Sequence, residues 1–147
     1  MAADIKVTVT DRGVMLAVRA MTQILQDATP VMKAIGRTLE SNVNVRFDTK
    51  TAPDGQPWAP WAPSTAAARA REGRGTLLEY TGRMRDSLTY VADAHSVEVG
   101  FGVPYAKYHE PYRPLLLDNG NLSNDDLNDA LDAALKAFRK QLRMEAR

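Results

Sequence analysis

The chain has 147 residues, enough for one domain that buries its own core without covalent staples. Lysine and arginine total 19 against 18 aspartates and glutamates, so no global charge marks a polyanion binder. Cysteine is absent, which excludes disulfides, thiolate nucleophiles and thiolate metal sites and fits a reducing cytoplasm. The opening "MAADIKVTVTDRG" carries charges early and has no long apolar run, so it reads as neither secretory signal nor membrane span. A soluble intracellular protein is expected.

Within "DIKVTVTD", Ile5, Val7 and Val9 alternate with Lys6, Thr8 and Thr10, the period of a half-buried strand. A helical stretch follows to about Asp27, with Leu16, Ile24 and Leu25 among its apolar positions. Thr29-Pro30 reads as a helix N-cap followed by proline at the first helical position. Val31, Ile35, Leu39 and Val43 then recur every four residues, forming one apolar stripe on a helix that ends near Phe47. Two helices with a break and one kinked helix fit this pattern equally.

Residues 48–62 form a loop holding both tryptophans, Trp58 and Trp61, and the tight-turn triplet Pro53-Asp54-Gly55. Each indole needs cover, either from the chain's own core or from a neighbouring subunit. Ser64 is the expected cap of a short helix, "TAAARAREG", and Thr81 of another, "TGRMRDSL", with Met84 and Leu88 inward. Between them, about 69–76, lies a flexible arm. "SLTYVADAHSVEVGF" reads as a β-hairpin that turns at "ADAHS". After the aromatic "VPYAKYHE" comes an extended crossover, "PYRPLLLDNGN".

In the last segment, Ser123 and Asp126 have capping-box spacing. Leu127, Leu131, Leu135, Phe138 and Leu142 share one face of the helix that follows. Its aspartates lie in the first half and its lysines and arginines in the second, which complements the helix dipole before any partner is invoked. The leucine face serves either the core or a contact with the next subunit.

These elements predict an α+β fold. A small, mostly antiparallel sheet (4–10, 88–94, 96–102) packs on the long helix near 30–47, with a C-terminal amphipathic helix near 123–145. Residues 1–117 form the core, and 118–147 the linker and final helix.

Catalytic constellations are weak. His95 and His109 lack metal-site spacing, so no metal or other cofactor is expected. Tyr105, Tyr108 and His109 are expected to form an aromatic patch against the sheet. Asp125 and Asp126 sit at a helix N-terminus, which favours their charged form, the wrong bias for a general acid. A hydrolase using His109 and Glu110 is a rival without motif support. Arg69, Arg71, Arg74, Arg83 and Arg85 face Glu72, Glu79 and Asp86, a surplus of two, which reads first as a solvated face. The sharper alternative is a nucleic-acid-binding morphogenesis factor whose basic segment contacts DNA.

Four ordered blocks resemble the phage virion morphogenesis (tail completion) family of long-tailed phages and prophages. They are "IGRTLESNVNVRFDTKTAPDGQPWAPW", "LLEYTGRMRDSLTY", "VEVGFGVPYAKYHE" and "RPLLL". Phe47, Asp54, Gly55, Trp58, Thr81, Gly82, Tyr105 and His109 carry the motif core. The chain departs from the pattern after His109, where Glu110-Pro111-Tyr112 replaces a glutamine and a phenylalanine-glycine, and "RPLLLDNG" replaces a shorter step. The resemblance implies a structural virion component, not an enzyme, assembled in the host cytoplasm. It implies a place at the head–tail connector or tail end, self-association into a ring, with a hexamer as the family's expected form, and contacts with other head-neck or tail proteins. Trp58, Trp61, Arg69, Arg71, Arg74, Leu135, Phe138 and Leu142 are the expected interface residues.

Overall fold

The computed structural model describes residues 12–73 and 75–145. The strand expected at 4–10 and Arg74 lie outside the described residues. Among the described residues five α-helices, α1 (Arg12–Gln26), α2 (Thr29–Thr49), α3 (Pro63–Glu72), α4 (Arg83–Asp86) and α5 (Asn124–Glu145), and a short 3-10 helix (Pro104–Tyr108) accompany a hairpin of β1 (Leu88–Ala92) and β2 (Val97–Phe101).

A break, not a kink, separates α1 from α2. The Asp27 carboxylate accepts from the Thr29 backbone N–H at 3.1 Å and from its hydroxyl, and the Ala28 N–H donates to the Ala94 carbonyl at 2.9 Å. Ala28 therefore takes the cap position expected for Thr29, which is the first helical residue. The proline after it needs no donor there. Ser64 is likewise inside α3, whose cap position falls to Ala62 and whose first residue is Pro63.

The hairpin is antiparallel, with Tyr90 opposite Val99. Leu88, Tyr90, Ala92 and Val97, Val99, Phe101 are half-buried, as is Gly100, and the sheet lies against α2. Each arm is shorter than expected because the turn begins early: the Asp93 carboxylate accepts from the N–H groups of His95 and Ser96 at 2.8 and 2.7 Å. Those bonds hold the Asp93 carboxyl below its ordinary pKa.

The core joins Val43 and Phe47 of α2 to Trp58, Met84, Ala106 and Leu115. The Phe47 ring meets Trp58 and Phe101 edge-on, each with centroids 6.1 Å apart. Helix α5 packs along α2 and also touches α1. Its Ser123 cap forms: the hydroxyl accepts from the Asp126 N–H at 3.1 Å. The reciprocal half of the capping box does not, because the Asp126 carboxylate points into the interior.

Candidate assembly surfaces

The tryptophan loop is a small hairpin in its own right. Ala52 N–H donates to Gln56 O, Gly55 N–H to Ala52 O and Trp58 N–H to Lys50 O, all within 3.0 Å. Asp54 accepts from the Gln56 N–H at 2.9 Å, and Gly55 takes a φ of 85° that favours glycine. This turn delivers Trp58 into the core, where only 6% of it is exposed. Its indole N–H donates to the Pro114 carbonyl at 2.9 Å. The geometry gives Trp58 the intrachain role. Trp61 is half-buried at the rim of a cleft.

That cleft, about 410 Å³, runs between α3, the 76–84 segment and the 105–113 segment. It brings together Trp61, Arg69, Thr81, Gly82, Tyr105 and His109, which are scattered over the sequence. Arg83 and Arg113 also line it, and no carboxylate among the described residues does. The Arg69 guanidinium stacks 3.8 Å over the Tyr80 ring, lies 6.0 Å from Trp61, and pairs with Glu72 at 3.3 Å. Arg113 donates to the carbonyls of Ala59 and Pro60, tying the tryptophan loop to the far wall. Gly82, at φ 77°, takes the cap position of α4 expected for Thr81, whose hydroxyl instead accepts from the Arg83 N–H at 3.3 Å. The aromatic patch is smaller than expected: Tyr105 meets His109 edge-on at 6.4 Å, whereas Tyr108 is largely exposed.

Two ionic arrangements organise the surroundings. Arg85 donates to Asp48 at 2.8 Å, to Glu79 at 3.0 Å and to the Asn44 side chain at 3.2 Å, so this member of the basic run is already engaged. Its bonds to Asp48 and Glu79 raise its own pKa, and the Asp48 carboxyl is lowered in turn. Burial alone would raise the Glu79 carboxyl, but bonds from Lys50 and Arg85 outweigh it and lower its pKa. Glu110 accepts from the backbone N–H groups of Leu115, Leu116 and Leu117 at 3.1, 2.9 and 2.8 Å. It shapes the crossover. His95 is exposed in the hairpin turn, and the described residues contain no group of three or more potential metal ligands.

Sequence reasoning missed the most buried charges. Arg46 donates to the Leu115 carbonyl at 2.7 Å and to the Asp126 carboxylate, which also accepts from Asn42 at 2.9 Å. The one available signal is spacing: Arg46 falls three residues after Val43, on the apolar side of α2.

The face of α5 turned inward is lined by Asp126 and Ala130 with half-buried Ala133, Ala134 and Ala137. Leu127, Leu131 and Leu135 are exposed, Leu131 at 55%, while Phe138 and Leu142 are half-buried. Of the other residues expected at an interface, Arg71 is exposed on α3. Among the described residues no helix is long and apolar enough to cross a membrane.

Compared with known families, the chain matches the model of the phage virion morphogenesis family over residues 9–113. No curated protein and no solved structure matches it.

Proposed function

Because the chain belongs to the phage virion morphogenesis family, we propose that it is a structural assembly protein that completes the tail or joins it to the head by self-associating into a ring. The observation that carries this reading is the open row of Leu127, Leu131 and Leu135, each about half exposed. Monomers seldom leave such a row uncovered, and burying it against a like subunit supplies a non-directional drive for assembly. Charged groups at the rim then set register.

The reading involves no catalysis. Glu110, one partner of the rival hydrolase, is committed to three backbone N–H groups, and His109 rests edge-on against Tyr105. Of the basic run, Arg69 and Arg85 are held by Glu72, Tyr80, Asp48 and Glu79, whereas Arg71 and Arg83 are exposed. The working place is then the virion, at the neck or tail end, reached after assembly in the host cytoplasm. Electron microscopy of particles produced without the gene tests the reading. Finished heads beside finished but unjoined or unterminated tails are expected; normal virions would overturn it.

A further inference from the structure

The cleft between α3 and the 76–84 and 105–113 segments gathers cations that the chain itself leaves unneutralised. Arg69, Arg83 and Arg113 line it, with no carboxylate among the described residues. Of the three, only Arg69 has an ion-pair partner, Glu72. The Arg83 side chain makes no hydrogen bond or ion pair among the described residues. Arg113 uses Nε and Nη2 on the Ala59 and Pro60 carbonyls, which holds its fork in place and leaves Nη1 without an acceptor among the described residues. The remaining acids of the three segments are committed elsewhere, Glu79 to Lys50 and Arg85 and Glu110 to backbone N–H groups. Asp86 is exposed and outside the lining.

Beside these cations the cleft has an apolar wall of Leu77 and Leu78, with Trp61 at the rim. The Thr76–Glu79 turn holds Leu78 at a φ of 63°, which favours glycine, yet a leucine occupies it and lines the cleft. Nucleic acid fits this surface poorly. A base needs an open ring to stack on, and the Arg69 guanidinium already covers the Tyr80 ring at 3.8 Å and lies 6.0 Å from that of Trp61. Duplex DNA engages cations set in a stripe on an open face, whereas Arg113 is half-buried and the Arg69 side chain is 26% exposed.

We propose that this cleft binds an acidic peptide segment of another protein, one with an apolar side chain between two carboxylates. This rests on the assembly reading and gives it a partner surface. The carboxylates answer Arg83 and Arg113, the two lining guanidinium groups without an ion-pair partner, and the planar fork of arginine suits a carboxylate. The apolar side chain packs against Leu77, Leu78 and Trp61, so that charge orients the segment and apolar contact retains it.

Trp61 serves as the reporter, because it lines the cleft whereas Trp58 is buried in the core. The probe is a capped heptapeptide of alternating glutamate and leucine, titrated against the whole protein and followed by indole emission. Its lysine–leucine counterpart and a thymidine oligonucleotide serve as comparisons. Saturable binding of the acidic peptide alone is expected, with Kd weakened about tenfold in Arg83→Ser and in Arg113→Lys. Arg83 bonds nothing through its side chain, so a loss in Arg83→Ser is not a loss of folding. Arg37→Ser removes the same charge from the separate groove between α2 and α5 and should leave Kd within about twofold. No binding of the acidic peptide, an equal effect of Arg37→Ser and Arg83→Ser, or arginine-dependent binding of the oligonucleotide instead would each overturn the proposal. In phage, Arg83→Glu should block joining, and suppressors should turn an acidic residue of another virion protein basic; suppressors at acids of this chain would mean that a second copy fills the cleft. If Arg83→Glu phage join normally while particles lacking the gene do not, the cleft is not the partner site and the assembly role stands.

Discussion

Arg46 of α2 and Asp126 of α5 form an ion pair inside the protein, with side chains 8% and 2% exposed. The Leu115 carbonyl and Asn42 complete its hydrogen bonds, so one cluster fastens the final helix to both the long helix and the crossover. Removing one partner leaves an uncompensated buried charge. Asp126→Asn or Arg46→Met is expected to cost about 3–5 kcal/mol in urea unfolding, whereas replacing both with apolar residues costs much less. A double variant as unstable as the worse single one would contradict this account.

Trp58 and Trp61 are expected to separate cleanly under substitution. Trp58→Ala removes a ring packed on Phe47 and strands the Pro114 carbonyl, for a cost of roughly 3–5 kcal/mol. Trp61→Ala, at the rim of the cleft, should cost below about 1 kcal/mol. Chemical denaturation of both variants, followed by circular dichroism, checks the difference.

Elements with a regular period were legible in the sequence: the stripe of α2, the alternating hairpin, the PDG turn and the charge-split final helix. What periodicity leaves open is which of two adjacent faces turns inward. On α5 the leucine row is the larger apolar surface, yet the buried face is lined by Ala130, Ala133, Ala134 and Ala137. Small side chains allow α5 to pack closely on α2, and that choice depends on the neighbour's shape. The cleft was illegible for the same reason. Trp61, Arg69, Thr81, Tyr105 and His109 meet only through tertiary packing. The direction of the Asp126 carboxylate depends on Arg46, 80 residues away in the chain.

Gly36 tests close packing between α2 and the hairpin. A Cβ there would lie 2.5 Å from Tyr90 Cδ2, 2.7 Å from Tyr90 Cγ and 3.0 Å from Val97 Cγ2. Alanine improves helix propensity by about 1 kcal/mol, but overpacking costs roughly 1–3 kcal/mol, and contacts this short put the balance on the destabilising side. Gly36→Ala should lower the melting temperature. Tyr90→Val should cost less in that background than in the parent, because the ring that clashes is gone.

Acid should loosen the Arg85 cluster. Glu79 and Asp48 are both held below their ordinary values of 4.5 and 3.8, so the folded form keeps them ionised further into acid than the unfolded chain does. Their contribution is present above the ordinary values and is lost as pH falls through the lower folded ones. Urea midpoints measured between about pH 6 and 2 should therefore fall, and fall less steeply in Glu79→Gln. An identical slope in that variant would remove Glu79 from the account.

Glu110 decides between structure and chemistry. Its carboxylate serves the three N–H groups of Leu115, Leu116 and Leu117, and Leu115 is a core residue only 1% exposed. Glu110→Ala leaves those donors short of an acceptor at the point where the crossover enters the core, at a cost of about 1–3 kcal/mol. Glu110→Gln keeps one acceptor oxygen and should cost less. A stability defect is relieved by cooling the culture, whereas a missing reacting group is not. Phage carrying Glu110→Ala should therefore yield few joined particles in warm culture and near-normal numbers in cool culture, with Glu110→Gln milder throughout. An equally severe loss for Glu110→Gln at every temperature, in a protein that melts like the parent, would show that the carboxylate does more than hold the loop.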